Sequence, residues 1–238
     1  MKPTILFQDQ FLLILNKPSE LHSVVSPKQD NPTLANWLVT HFPECAAAAP
    51  KPGDGGLVQR LDFETSGCIL AAKTRTVWEL LFRQLKDEQV KKEYCALIEG
   101  ELTAAVEVNS YLGSPHRGAK KIKVYLRRPA KNQRALPAHT IFQPRCYQRR
   151  ANATLVTVTA HRAHRHQIRA HAAHIAHPLL GDALYGSKKR LEGLFPDGTE
   201  IPAFLLHAAR VAFLHPISGL PLAVEAPLPP LINAFLAG

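Results

Sequence analysis

The sequence holds no acidic residue between Glu107 and Asp182. The same interval carries fourteen Lys and Arg, from Arg117 to Arg169, so of the 29 basic side chains 15 are left to face all 19 acids elsewhere. One continuous third of the chain is strongly positive and the remainder mildly acidic. Such a body suits a polyanion, held by neutralising phosphates and releasing counterions. Cysteine is also scarce. Cys45, Cys68, Cys95 and Cys146 stand far apart, without metal-type spacing, and read as reduced thiols of a cytoplasmic protein. Long apolar runs are missing too: "FLLIL" (Phe11 to Leu15) is far short of the ~20 residues that span a bilayer. Asp9 interrupts the N-terminal stretch and no small-residue cleavage site follows, so neither a secretory leader nor a membrane span is expected. There is no P-loop, GxGxxG, HExxH or GxSxG pattern, which argues against nucleotide cofactors and serine-hydrolase chemistry.

What is present describes a globular α+β chain. With 238 residues and 46% hydrophobic content it can bury a sizeable core. "ILFQDQFLLILNKP" reads as two short strands about a Gln-Asp-Gln turn, stopped by Pro18. A helix is expected around Leu34 to His41, and "PKPGDGG" (Pro50 to Gly56) is a loop. "CILAAK" is a short apolar strand. Thr76 and Glu79 form a capping-box pattern ahead of a helix with Val77, Leu80, Leu81 and Leu85 at the 3.6-residue period. "KKEYCALIEG" returns to a strand. Residues 113 to 138 suggest a long hairpin or insert. "HTIFQ" and "ATLVTVTA" are β-branched strands. "RHQIRAHAAHIAH" (Arg165 to His177) is helical, with Ile168, Ala172 and Ile175 as its apolar stripe. Two strands close the chain. No repeat or linker divides it, so residues 1–238 are expected to form a single domain.

Three groups of residues carry candidate chemistry. In "QRLDFETSG" (Gln59 to Gly67), Arg60 keeps a cation near the Asp62 carboxylate and favours its ionised form. The Thr-Ser-Gly turn that follows would fix the backbone; the competing reading is an Asx-turn with no catalytic part. Six histidines lie between His161 and His177, but Arg162, Arg165 and Arg169 interleave with them and no acid or thiol joins them. That composition opposes a metal site and suits a basic helix facing phosphate. His166 and Arg169 share a face that leaves Ile168 for the core. Tyr94, at the start of a strand after two lysines, is either a core tyrosine or a ring that stacks on a nucleobase.

Taken in order, these segments resemble the RluA (ribosomal large subunit/tRNA pseudouridine synthase A) family of RNA pseudouridine synthases. "QRLDFETSG" is similar to its HRLDxxTSG motif, and "ILNKPSEL" to its early NKPxGL motif. "KKEYCALIEG" resembles its KxYxAxVxG strand and "LPAHT" its KPAxT element. "HQIRAHAAHIAHPLLGDALYG" and "LLHAARVAFLHPISGLPLAVEAPLP" match its two closing segments. The resemblance implies an α+β catalytic fold on a long, mixed, mostly antiparallel sheet with flanking helices and a cleft for RNA. It implies isomerisation of uridine to pseudouridine in rRNA or tRNA, after base flipping, with no metal and no cofactor. Asp62 would be the catalytic residue, Tyr94 would stack on the base and help move its proton, and Arg169 would pair with Asp62. Arg60 would fill the vacated stack or hold the backbone. The RNA-facing surface would include Lys120, Lys121, Lys123, Arg127, Arg165 and His166. An S4-type N-terminal domain is not expected, because the pattern begins near Ile5, and a monomer is the default.

The departures from the family pattern are specific. Gln59 replaces the His of HRLD and Glu20 the Gly of KPxGL. In "HRAHRHQIR", Ala163 replaces Gly, His164 replaces Arg and Arg165 replaces Thr or Ser. Ala176 replaces the Gly before HP. Asp62, Tyr94 and Arg169 are retained, so these changes bear on RNA choice more than on chemistry. The alternative is an RNA-binding protein of the same fold that has lost turnover.

Overall fold

Alternating and β-branched segments become strands, and the structure carries ten of them with four α-helices among the described residues. It is a computed structural model and describes residues 2–25, 31–129, 134–160, 163–188, 191 and 201–237. His161 and Arg162 of the histidine-arginine cluster lie outside the described residues. In chain order the elements are β1 (Thr4–Gln8), β2 (Leu12–Lys17), α1 (Leu34–His41), β3 (Ser66–Ala72), α2 (Arg75–Lys86), β4 (Lys91–Glu99), β5 (Val106–Gly113), β6 (Lys123–Tyr125), β7 (Ala135–Gln148), β8 (Ala153–Thr159), α3 (Gln167–His174), β9 (Leu206–Leu214), β10 (Pro221–Glu225) and α4 (Pro230–Ala237).

The chain divides into two compact units, Met1–Lys92 with Ala208–Pro227, and Glu93–His207 with Leu228–Gly238. In the first unit the strand order is β1-β2-β3-β9, with β10 on β9. β2 pairs antiparallel with both β1 and β3. Its four leading residues, Leu12 to Leu15, are fully buried, because an interior strand is covered on both faces. Leu13 and Leu15 pack with Leu34, Leu38, Leu57 and Ile69 in one apolar cluster. Thr33 and Asn36 form a reciprocal capping box that starts α1. The cap of α2 is Thr74, two residues earlier than the sequence suggested, and its hydroxyl accepts from Val77 N–H at 3.4 Å. Glu79 is turned outward to Arg75 at 2.8 Å and takes no part in capping. Gly67 is required where β3 begins: its φ is +107°, and a Cβ there would lie 2.3 Å from the Ala208 carbonyl oxygen.

The second unit has the order β4-β8-β7-β5-β6, and every register described within it is antiparallel. β7 runs far beyond the expected "HTIFQ" segment. It passes through Pro144 because a bulge between Pro144 and Cys146 absorbs the missing donor. Its main core joins Leu97, Leu155, Leu180 and Leu205 to Leu231, Ile232 and Phe235 of α4, a helix that sequence reasoning did not anticipate. α3 is shorter than expected, Gln167–His174, because His166 sits at φ 53° and ends the helix on its N-terminal side. All four cysteines are free. Burial pushes the Cys45 and Cys68 thiols up to about 11. Among the described residues no helix is long and apolar enough to cross a membrane.

Three positions where the family pattern has glycine keep a left-handed backbone without it: Glu20 at φ 60°, Ala163 at 44° and Ala176 at 62°. An L-residue in that region costs about 1–2 kcal/mol, partly offset by the smaller entropy it loses on folding. Ala176→Gly is therefore expected to stabilise the protein by about 0.5–1 kcal/mol and raise its melting temperature by a few degrees. Differential scanning calorimetry of the two proteins checks this. An unchanged or lower Tm means the turn is relaxed with alanine.

Candidate active site

The loop that carries Asp62 is fixed by its neighbours on both sides. Ser23 Oγ donates to the Leu61 carbonyl at 2.7 Å and accepts from Leu61 N–H at 3.0 Å. Lys17 Nζ donates to the carbonyls of Pro18, Leu21 and Phe63 at 2.8, 2.7 and 3.2 Å. The turn itself is closed by the Asp62 carbonyl, which accepts from Thr65 N–H at 3.1 Å. A backbone group closes this turn. The Asp62 side chain is half-buried, beside the exposed Arg60.

Lys17 is the residue that sequence reasoning missed. It is completely buried, and burial pushes its ammonium down to about 7, opposed by the charges of Asp62 and Glu64. The signal was present in "ILNKPSEL": a lysine closing an apolar strand, with Pro next, has no solvent to reach. A second buried lysine, Lys92, has Gln59 Oε1 at 3.5 Å and is pushed down to about 8 by burial. Gln59 stands where the family has His, and here its neutral amide oxygen faces an ammonium.

In the second unit Arg169 lies on α3 and is buried. Its Nε and Nη2 hydrogen-bond Asp182 Oδ2 and Oδ1 at 2.6 and 2.9 Å, a bidentate pair. The guanidinium carbon lies 4.3 Å from the Phe204 ring centroid and 5.2 Å from that of Tyr185. Asp182, Tyr185 and Phe204 were not singled out from the sequence, although "GDALYG" held the first two. Tyr185 Oη accepts from Ile122 N–H at 2.8 Å and lies 3.0 Å from His166 Nδ1. Tyr94 is 4% exposed on β4, opposite Val158 of β8.

The altered positions around α3 have structural work of their own. His164 N–H donates to Gln167 Oε1 at 3.0 Å, and its ring Nε2 lies 3.0 Å from the Pro137 carbonyl. Arg165 Nη1 and Nη2 donate to the carbonyls of Ala119 and Lys120 at 3.2 and 3.0 Å. Arg165 thus braces the segment that presents Lys120, Lys121, Lys123 and Arg127, all exposed. His171 is fully buried, with Nε2 2.7 Å from Ser110 Oγ and Nδ1 2.8 Å from Thr140 Oγ1. Both ring nitrogens are occupied by hydroxyls. Among the described residues no three His, Cys, Asp or Glu side chains converge as a metal set.

The family model described as RNA pseudouridylate synthase matches residues 11–174. The chain belongs to the RNA pseudouridylate synthase family. The activity of that family is isomerisation of uridine to pseudouridine in RNA. Ribosomal large subunit pseudouridine synthase D of Xylella fastidiosa is 33% identical over 243 residues, covering 98% of this chain and 68% of its own length. The synthase D of Nitrosomonas europaea is 34% identical over 234 residues, and the chain spans 64% of its length. Synthase C of Buchnera aphidicola is 31% identical over 233 residues. Two solved structures share the fold. Human RNA pseudouridylate synthase domain containing 1 has a TM-score of 0.71 at 21% identity, covering 98% of this chain and 87% of that one. Domain containing 4 has 0.70 at 23%, covering 98% and 91%.

The buried bases of this pseudouridine synthase family member give it a directional pH dependence. Burial, then Arg169 and Arg165, push His166 down to about 4; burial, then His174, His139 and His164, do the same to His171. Between pH ~6.5 and ~4 the unfolded chain binds protons that the folded histidines refuse, so acid favours unfolding there. Lys17 and Lys92 behave alike at higher pH: stability grows as pH rises from about 7 toward ~10.5, where the unfolded lysines also lose their protons. The melting temperature is expected to rise from pH 5 to 7 and again to pH 9. A fluorescence melt at those three values checks it, and a flat profile would contradict neutral burial of His171.

Proposed function

We propose that this chain isomerises a uridine of large-subunit ribosomal RNA in the cytoplasm, acting as a monomer with Asp62 as its catalytic carboxylate. The observation that carries the proposal is the clamp on the Asp62 loop, held at Leu61 by Ser23 and at Phe63 by Lys17. A rigid loop keeps a carboxylate in place while the substrate moves. The choice of RNA is supported by relatives named as large-subunit enzymes that align with 98% of the chain.

In this reading the uridine leaves its stack, at a cost of a few kcal/mol. The C1′–N1 bond breaks, the uracil turns, a C1′–C5 bond forms, and the C5 proton is lost to water while N1 gains one. Asp62 either attacks C1′ or removes the C2′ proton, and both routes need it ionised. Arg60 holds the vacated stack or the backbone. Tyr94 stacks on the base, and Arg169 balances the charge of Asp62. In the same reading residues 1–238 are one catalytic domain, and the chemistry calls on no metal or cofactor. The test is tritium release from C5-tritiated rRNA taken from cells lacking the gene, with tRNA from the same cells as competitor. Release from tRNA alone would reassign the substrate, and none from either would leave an RNA-binding protein.

The exposed lysines give a separate expectation. Replacing Lys120, Lys121 and Lys123 together by Gln should weaken rRNA binding and reduce the salt slope by about one for each phosphate no longer neutralised, with turnover of bound RNA intact. Filter binding across a salt series measures this. Unchanged affinity would move the RNA-facing surface elsewhere.

A further inference from the structure

The residue after Asp62 is a phenylalanine with no place in the core. Phe63 is 37% exposed, although the loop on either side of it is held by buried groups. Its ring lies against His22, with centroids 4.5 Å apart and planes inclined by 37°. Neither ring is loosely placed. The Phe63 carbonyl accepts from the buried Lys17 ammonium at 3.2 Å. The His22 carbonyl accepts from Leu34 N–H at 2.8 Å, and His22 bridges to Thr33. The family pattern leaves the position of Phe63 open, so the common fold does not demand an aromatic there.

We propose that Phe63, backed by His22, is a stacking platform for a nucleobase that flanks the target uridine. The proposal rests on the reading of Asp62 as the catalytic carboxylate and deepens it. When a uridine is turned out of its stack, each neighbouring base loses an aromatic face. Consecutive Cα atoms are only 3.8 Å apart, so whatever nucleotide reaches Asp62 brings its neighbour close to residue 63. The exposed Arg60 lies on the same loop and supplies a cation for the adjoining phosphate. Because every base has a π-face, such a platform gives affinity and positioning without selecting a letter. It acts on how the RNA is held, as a positioning residue.

The experiment compares wild type with Phe63→Leu, which keeps apolar volume but cannot stack, and Phe63→Tyr, which restores the plane. Two readouts are taken on C5-tritiated rRNA from cells lacking the gene: affinity by filter binding and steady-state tritium release. The leucine variant is expected to lose about tenfold in affinity and in kcat/KM through KM, within the range one base stack supplies, and tyrosine should recover it. Equal affinity and KM in the leucine variant would overturn the platform. So would a loss of kcat shared by both variants, because that marks a disturbed loop. A wild type that binds through Phe63 but releases no tritium would sink the catalytic reading and leave the platform standing. A wild type that neither binds nor turns over would sink both.

Discussion

Asp62→Asn is expected to lower tritium release by about 10²–10⁴-fold while leaving Tm and rRNA affinity close to wild type. The substitution keeps the shape of the side chain and removes only its charge. The loop also has supports that do not use that charge: Leu61 is held by Ser23, Phe63 by Lys17, and the turn by the Asp62 carbonyl and Thr65 N–H. Attack on C1′ and removal of the C2′ proton both fail with a neutral amide, so the expectation holds for either route. Loss of a carboxylate from the surroundings of Lys17 should also push its ammonium further down, since Asp62 is one of two charges that oppose burial there. Activity within tenfold of wild type would remove Asp62 from the chemistry. Unfolding, or loss of RNA binding, would give it a structural role instead.

Most strands are legible in the sequence because burial imposes a period, although β5 (Val106–Gly113) was not among those expected, and α1 has the bounds its sequence suggests. Local rules failed where two candidates compete or a distant partner decides. Thr74 and Thr76 both suit a cap, and it is the Thr74 hydroxyl that accepts from Val77 N–H, so the helix begins at Arg75. α4 was overlooked because "PLPPLINAFLAG" looks like a proline-broken tail; Pro230 in fact opens the helix, where a missing N–H does no harm. The motif located Asp62 and Arg169, but their supports are long-range: Lys17 meets Phe63 across 46 positions, and Arg169 meets Asp182 across 13. Periodicity carries no record of such pairs. The replaced glycines add a further point. Glu20, Ala163 and Ala176 keep the backbone a glycine would favour, so the surrounding structure enforces those turns.

Asp182→Ala is expected to destabilise the protein by about 3–5 kcal/mol, a fall in Tm of about 10 °C. Arg169 is 4% exposed and Asp182 2%, so neither can turn to water when its partner goes. The bidentate geometry means that two short charge-assisted bonds disappear together, and the Tyr185 N–H that also reaches Asp182 Oδ1 at 3.3 Å loses an acceptor. The aromatic faces of Phe204 and Tyr185 remain over the guanidinium. The double variant Arg169→Met with Asp182→Leu should recover most of the loss, because a desolvated pair contributes far less than removal of one member costs. Calorimetry of the two variants checks the stability, and a double variant as unstable as the single would show that the pair specifies local packing. Activity of the stable double variant then separates two roles for Arg169. Full turnover would make it a brace between α3 and the Asp182 turn, whereas a folded, RNA-binding, inactive protein would place its charge in the reaction.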